Sequence, residues 1–290
     1  MSREKVLALL TEKRGAALSG EAMSRELGIS RAAVWKAVEA LRQEGYVIAS
    51  APNRGYCLQS APDRLREGEL SGPLTDCHLG HPLLCFECID STNTECKRRA
   101  MAGAPDGLVA VSEEQTGGMG RKGRAFLSPK GKGLYLSNDL VLNGKKLCGI
   151  LTEIALEGES HALDYLVPGI GINVSQTPED FGPELAATAT SLSYELGRPV
   201  RRADLAVQVI KALDRMYAGF PRNRQEYLDK YRADCLTPGN QVQLVTPNSR
   251  REAFAVEIDD QFRLVVEFPD GTRQALSAGE VSVRGMYGYV

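Results

Sequence analysis

The 290-residue chain has no long hydrophobic run: its longest apolar stretches, such as residues 147–151, stop far short of the ~20 residues a membrane helix needs. No membrane partner is expected. The opening MSREKVLALLTEKR holds only a five-residue apolar run before Thr11, too short for a signal-peptide core, so a cytoplasmic protein is expected. A strong charge of either sign is missing as well: 35 Lys plus Arg face 37 Asp plus Glu, for a net charge of -2. Any basic surface must therefore be local. Seven Cys, an odd number at scattered spacing, do not read as a disulfide framework in a chain this long, and reduced thiols are expected. Cys85-x-x-Cys88 follows Cys77, His78 and His81, but there is no second such pair. Residues i and i+3 of a strand also point to opposite faces, so no metal site is assigned. The chain has no fixed-period repeat, low-complexity tract or Walker motif. What remains is an ordinary globular composition, 43% apolar and 25% charged, with length for about two domains.

Residues 1–60 read as helix, helix, turn, helix, then hairpin. Val6, Leu9 and Leu10 recur at helical spacing; residues 20–27 make a short helix stopped by Gly28, and Ser30 caps a third helix from Arg31. In that helix Val34, Val38 and Leu41 face a core, which turns Arg31, Ala32, Trp35 and Lys36 outward. Strands over 46–49 and 56–58 flank a turn with Arg54 at its tip, the pattern of a winged helix. Nine bases against six acids make this segment net +3 within an acidic protein, as phosphate contact requires. Candidate DNA contacts are Gly20, Ser30, Arg31, Ala32, Trp35, Lys36 and Arg54. A small dimerisation domain with a solvated charged face is the alternative.

Residues 61–70, APDRLREGEL, read as a linker. From 71 to 234 short strands (83–89, 107–111, 134–137) mix with helices at 93–102 and 204–220, an α+β pattern. The last helix carries Leu205, Val209, Leu213, Met216 and Phe220 on one stripe expected to pack on a sheet. From 235 to 290 only short alternating runs remain, as in a small five-stranded barrel.

Chemistry concentrates in a few segments. Residues 113–124, EEQTGGMGRKGR, place four glycines and three cations within eight residues, a composition suited to an anionic nucleotide. The segment also fits the dinucleotide fingerprint, but Ser128-Pro129 follows where an apolar helix should, so a Rossmann turn is rejected. Gln115 sits just before this glycine-rich loop, Asp90-Ser91-Thr92-Asn93 lies between a strand and a helix, and small hydroxyls and amides there can bond a neutral polar ring. Ser91 is equally a helix cap. Lys146 stands between a turn and an apolar strand, and Gly169 and Gly171 would let a ligand approach a strand closely.

Together, in this order, DSTN (90–93), EQTGGMGRKGR (114–124), SPKGKGLYLS (128–137), NDLVLNGKKLCGILTE (138–153) and GIGINV (169–174) closely resemble the biotin protein ligase family, over nearly the whole chain. The leading winged helix makes the chain similar to bifunctional members that also repress biotin-synthesis genes. The resemblance implies an α+β protein with an N-terminal winged helix-turn-helix, a central mixed-sheet domain like class II synthetases and a C-terminal SH3-like β-barrel. It implies that biotin and ATP, with Mg2+, give biotinyl-5'-adenylate, from which a lysine of a carboxylase carrier domain takes the biotinyl group. The partners implied are that carrier domain, operator DNA and a second copy of the chain once the adenylate is bound. By motif position Ser91, Thr92, Asn93 and Gln115 would line the biotin pocket; Gly149, Leu151, Gly169 and Ile170 would shape it, and Met119, Gly120 and Arg121 would fold over the ligand. Lys146 would be the principal catalytic charge, aided by Arg121, while Arg121, Arg124, Asn138, Asp139 and Asn173 would serve ATP or its magnesium. Lipoate ligases resemble this domain in fold and chemistry; the winged helix and the GRKGR-type loop favour biotin.

The chain departs from the family pattern at Met119, usually basic, at Phe126, usually Trp, and at Pro168 within a buried strand. The larger departure falls between Ser137 and Asn138, where a few dozen residues are absent that in the family carry a strand, a long helix and a strand ending in Lys-Trp-Pro. Their loss is expected to expose apolar surface and to impair adenylation, so a degenerate ligase that only senses biotin is the competing expectation.

Overall fold

Three helices open the chain: α1 (Ser2–Glu12), α2 (Gly20–Leu27) and α3 (Arg31–Gln43). The side chain of Ser19 accepts from Ala22 N at 3.0 Å to start α2, Gly28 ends it in a left-handed conformation, and Ser30 accepts from Ala33 N at 3.1 Å to start α3. Val34, Ala37, Val38 and Leu41 of α3 are buried with Val6, Leu7, Leu9 and Leu10 of α1, so the opposite face of α3 is left to Arg31, Ala32, Trp35 and Lys36. The strands β1 (Val47–Ala51) and β2 (Gly55–Ser60) form an antiparallel hairpin. This computed structural model describes residues 2–51, 55–118, 131–134, 140–156, 163–246, 249–276 and 282–285; Arg54, at the hairpin tip, lies outside them.

The segment after the hairpin is ordered rather than a loose tether. It contains the helical turn α4 (Glu67–Leu70) and a 3-10 turn at Gly72–Leu74, and Leu65, Leu70 and Leu74 are buried in the next core. A side chain at Gly72 would put its Cβ 2.3 Å from the carbonyl oxygen of Ala8, so α1 and the turn lie backbone to backbone.

The central part follows as β3 (Leu83–Phe86), α5 (Thr92–Met101), β4 (Val109–Ser112), β5 (Gly133–Leu134), β6 (Leu140–Leu142), β7 (Lys145–Leu156) and β8 (Leu163–Asn173), then α6 (Pro178–Leu185), α7 (Leu192–Leu196) and α8 (Arg202–Gly219). β3 and β4 pair in parallel, and β5, β8, β7 and β6 form a sheet in that order. Mixed parallel and antiparallel pairing with interspersed helices fits the α+β expectation. The α8 stripe is a correction. Ala203, Ala206, Val207 and Ile210 are the residues buried against the sheet, Leu205, Val209 and Leu213 flank them, and Met216 and Phe220 are 41% and 54% exposed. Alanines on the inner face let the helix axis approach the sheet, which a stripe of large residues would hold off.

Along β7 and β8 the core face carries Cys148 and Ile150 opposite Ile172 and Ile170. The same face continues outward as the cross-strand pairs Ile154–Leu166 and Leu156–Leu163, each between 48% and 59% exposed.

The chain divides into two compact units, residues 1–140 with 147–215, and residues 141–146 with 216–290. In the second, α9 (Arg224–Asp234) is joined by Arg232 to Ile258 O at 2.8 Å and to Asp260 at 2.8 Å. The strands β9 (Gln241–Val245), β10 (Arg250–Ile258), β11 (Leu264–Glu267), β12 (Arg273–Leu276) and β13 (Ser282–Gly285) make one five-stranded sheet ordered β12-β11-β10-β9-β13. Its neighbours are all antiparallel, and its core is Val242, Leu244, Ala253, Ala255, Val266, Phe268 and Leu276. The strand count agrees with the sequence. A closed barrel is not established, because among the described residues β12 and β13 end the sheet without pairing to each other.

Within the first unit one side chain holds several elements. Arg202, 2% exposed, donates through Nε to Asp63 Oδ2 at 2.8 Å, through one terminal nitrogen to Glu113 Oε2 at 2.6 Å and through the other to Asp63 O at 2.7 Å. The second carboxylate oxygen of Glu113 accepts from Leu65 N at 2.6 Å. Removing one member of such a buried network strands the remaining charges, at a cost of about 3–5 kcal/mol. Urea unfolding of Arg202→Met should show a loss of that order. A change within ~0.5 kcal/mol, the scatter of an ordinary surface substitution, would mean the network adds nothing.

Candidate functional site

β3 and β4 run parallel, and past their ends the two chains stay side by side. Thr116 N donates to Ile89 O at 2.9 Å, Gly117 N to Asp90 O at 2.8 Å, and a parallel bridge joins Ile89 with Gln115. This brings DSTN against the start of the glycine-rich segment. Ser91 caps α5: it is 4% exposed and its hydroxyl accepts from Thr94 N at 3.4 Å. Its neighbour Thr92 donates twice to Gln115 Oε1, from the backbone at 2.8 Å and from the hydroxyl at 3.0 Å. With both donors on its oxygen, the Gln115 amide has a fixed orientation.

Asn93 sits one residue further along α5, above the strand pair Leu151–Gly169. Its Nδ2 donates to Glu153 Oε2 at 2.9 Å and reaches Leu151 O at 3.4 Å. A Cβ built on Gly169 would lie 1.9 Å from Asn93 Oδ1, so only glycine admits the amide here. Lys97, one helical turn after Asn93, donates to the other Glu153 oxygen at 2.7 Å. Burial pushes the Glu153 carboxyl up, but the bonds from Lys97 and Asn93 outweigh it and hold the group below the ordinary carboxylate range.

The arrangement is a polar floor of hydroxyls and amides whose orientations are set by neighbours, suited to binding a neutral polar ring. The half-buried thiols of Cys96 on α5 and Cys85 on β3 are poor nucleophiles: desolvation pushes Cys96 up to about 11 and Cys85 up to about 12.

The structure thus brings together Ser91, Thr92, Asn93, Gln115, Leu151 and Gly169. Gly149 pairs with Gly171 two residues before Leu151 on the same strand. Ile170 is turned into the apolar core beside Ile150. Asn173 is buried, donating to Thr190 O at 3.0 Å and accepting from Gln176 at 3.3 Å. Lys146 lies at the start of β7, in the second compact unit. Met119, Gly120, Arg121, Arg124, Asn138 and Asp139 lie outside the described residues. Glu153 and Lys97 were not singled out in the sequence. The i, i+4 spacing of Asn93 and Lys97 and the i, i+2 spacing of Leu151 and Glu153 were the available signals.

Two substitutions probe this geometry. Gly169→Ala should cost roughly 1–3 kcal/mol by forcing the Asn93 amide out of place, and an unchanged thermal midpoint would overturn the close approach. The depressed Glu153 carboxyl contributes stability above its unfolded-state value that is lost as pH falls through the folded one. Glu153→Gln should therefore lose less stability than the parent as the pH falls from neutrality through and below the ordinary carboxylate range, and equal losses would contradict that assignment.

The comparisons with known proteins divide along the same lines. A model named HTH domain matches residues 2–57, and one of the biotin/lipoate A/B protein ligase family matches residues 85–137. The chain is similar to the bifunctional ligase/repressor BirA of Bacillus subtilis, 29% identical over 317 aligned positions that cover 95% of this chain and 97% of the relative. It is similar to the protein of that name from Escherichia coli at 27% identity, covering 97% and 96%. A solved biotin protein ligase from Aquifex aeolicus in complex with biotin and ATP shares the fold, with a TM-score of 0.58 and 24% identity over 70% of this chain and 98% of that one. Since 95% of 290 residues is about 276, some 41 of the 317 positions aligned with the Bacillus relative have no residue here. The ligase-family match also ends at residue 137, where the sequence places the missing segment.

Proposed function

We propose that this chain is a biotin protein ligase with a helix-turn-helix domain in front, a ligase and repressor in one polypeptide. The ligase activates biotin with ATP as biotinyl-5'-adenylate, releasing pyrophosphate, and passes the biotinyl group to a carrier-domain lysine. The observation that carries this reading is the tie of Thr92 to Gln115 beside Asn93 and Gly169, in a chain that aligns with bifunctional ligase/repressors over 95% of its length.

In this proposal Ser91, Thr92, Asn93 and Gln115 hold the biotin ring, Gly149, Leu151, Gly169 and Ile170 form the strands beneath it, and Met119 to Arg121 close over it. A preset hydrogen-bonding floor spends no binding energy on ordering side chains. Lys146 and Arg121 stabilise the negative charge that develops between the carboxylate and the α-phosphate. Arg124, Asn138, Asp139 and Asn173 serve ATP, which brings magnesium on its phosphates. No protein nucleophile is needed, in keeping with the protonated thiols nearby. The C-terminal sheet is read as an SH3-like barrel and the central sheet as class II synthetase-like. Adenylate binding is read as the signal for homodimerisation.

For the winged helix, Ser30, Arg31, Ala32, Trp35 and Lys36 on the exposed side of α3 enter the major groove, with Gly20 and Arg54 beside the backbone. Arg31→Ala or Lys36→Ala should weaken operator binding, and removing a cation that neutralises one phosphate should lower the salt dependence by about one unit. Unchanged binding in a filter or polarisation assay would remove α3 from the groove.

The roughly 41 vacant alignment positions favour a second reading, a regulator that senses biotin without turnover. Purified protein given biotin, ATP and magnesium separates the two. Pyrophosphate release and a carrier domain heavier by one biotinyl group, both abolished in Lys146→Ala, establish the ligase. Biotin binding without pyrophosphate establishes the sensor.

A further inference from the structure

We propose that Glu153, braced by Lys97, is a positioning residue that fixes the Asn93 amide with its NH2 turned toward β7 and its carbonyl oxygen held as an acceptor for an N–H of the biotin ring. The inference rests on the biotin-binding reading given above.

An asparagine amide can sit either way round, and shape alone does not choose. Here chemistry chooses. An ionised carboxylate only accepts, so the Asn93 group facing Glu153 has to be the donor, and Nδ2 does face it at 2.9 Å. Leu151 O, the other acceptor near that end at 3.4 Å, selects the same orientation. Oδ1 is then left above Gly169, where the lack of a side chain leaves room that any Cβ would fill. Lys97 Nζ, 2.7 Å from the far Glu153 oxygen, keeps the carboxylate ionised and stops it from turning away. The two Glu153 oxygens are taken up by Asn93 and Lys97, so the effect of Glu153 on a ligand passes through Asn93.

The cyclic urea of biotin carries N–H donors as well as a carbonyl, and a pocket that buries an N–H without an acceptor loses the free energy of desolvating it. An Asn93 flipped by loss of Glu153 would offer NH2 to an N–H. The clamp is therefore a specificity device as well as a brace between α5 and β7.

The test is biotin calorimetry on the full chain with Glu153→Ala, Asn93→Ala, the double variant and Glu153→Gln, each checked for its thermal midpoint. Glu153→Ala and Asn93→Ala are each expected to weaken biotin about tenfold, and the double variant no further than Asn93→Ala alone, because the two act through one amide. Glu153→Gln keeps the shape but only one acceptor oxygen, which Lys97 claims, so its NH2 faces Asn93 and biotin should weaken about as much as in Glu153→Ala; full retention of affinity would overturn the assignment. Additive losses, or losses that simply follow the thermal midpoints, would overturn the assignment, since a general structural role predicts both. In the ligand-free chain the side-chain NH2 resonances of Asn93 should move in Glu153→Ala, and resonances that stay in place would overturn the clamp itself. A parent chain that takes up no biotin overturns the biotin reading and the ligand half of this proposal, whereas the resonance measurement still decides the clamp.

Discussion

The buried guanidinium of Arg202 is the point on which the first unit depends. It satisfies Asp63 in the segment after the winged helix and Glu113 at the end of β4, while Glu113 also receives Leu65 N. A single planar fork thus seats the segment that carries the winged helix and sets the strand end that leads, two residues later, to Gln115. Only an arginine has the fixed donor geometry to serve both carboxylates and a carbonyl at once. Around it, Arg201 bonds Glu69 at 2.9 Å, Arg66 pairs with Glu44, and Glu4 accepts from Gly68 N at 3.1 Å. The N-terminal helices and hairpin are therefore seated on the central α+β part by charge and backbone contact together.

Local rules made the winged helix legible. Serine caps at 19 and 30, the turn at Gly28 and the Val34, Val38, Leu41 stripe are all encoded within a few residues, and the structure places them accordingly. The long helix α8 was legible as a helix but not in its orientation, because five large apolar residues outvoted the smaller alanines that in fact meet the sheet. Residues 61–70 look like a polar tether because their charges find partners up to 139 positions away, which no local pattern reveals.

Much the same divide runs through the candidate site. Ser91, Thr92 and Gln115 stood out as polar residues where a strand meets a helix and a glycine-rich loop, and they meet in space. The clamp of Glu153 and Lys97 did not stand out, since a lone glutamate on a strand and a lysine on a helix usually face water. Its meaning comes from register: Leu151 opposite Gly169 places Glu153 within reach of α5. Family resemblance supplied roles for residues such as Lys146 and Arg121 that spacing alone left ambiguous.

The 139-residue span between Asp63 and Arg202 has a consequence for the order of biosynthesis. The winged helix can collapse on its own core soon after emerging from the ribosome, because its contacts are local. The part of its seat made by Arg201 and Arg202 cannot form until the start of α8 has been made, which at ~5–20 residues per second is a delay of roughly 7–28 seconds. Through that interval Asp63, Glu69 and Glu113 remain hydrated and the backbone around Gly72 is held only by α1. The nascent chain passes through a stage in which the N-terminal helices and hairpin are complete and the domain they rest on is not.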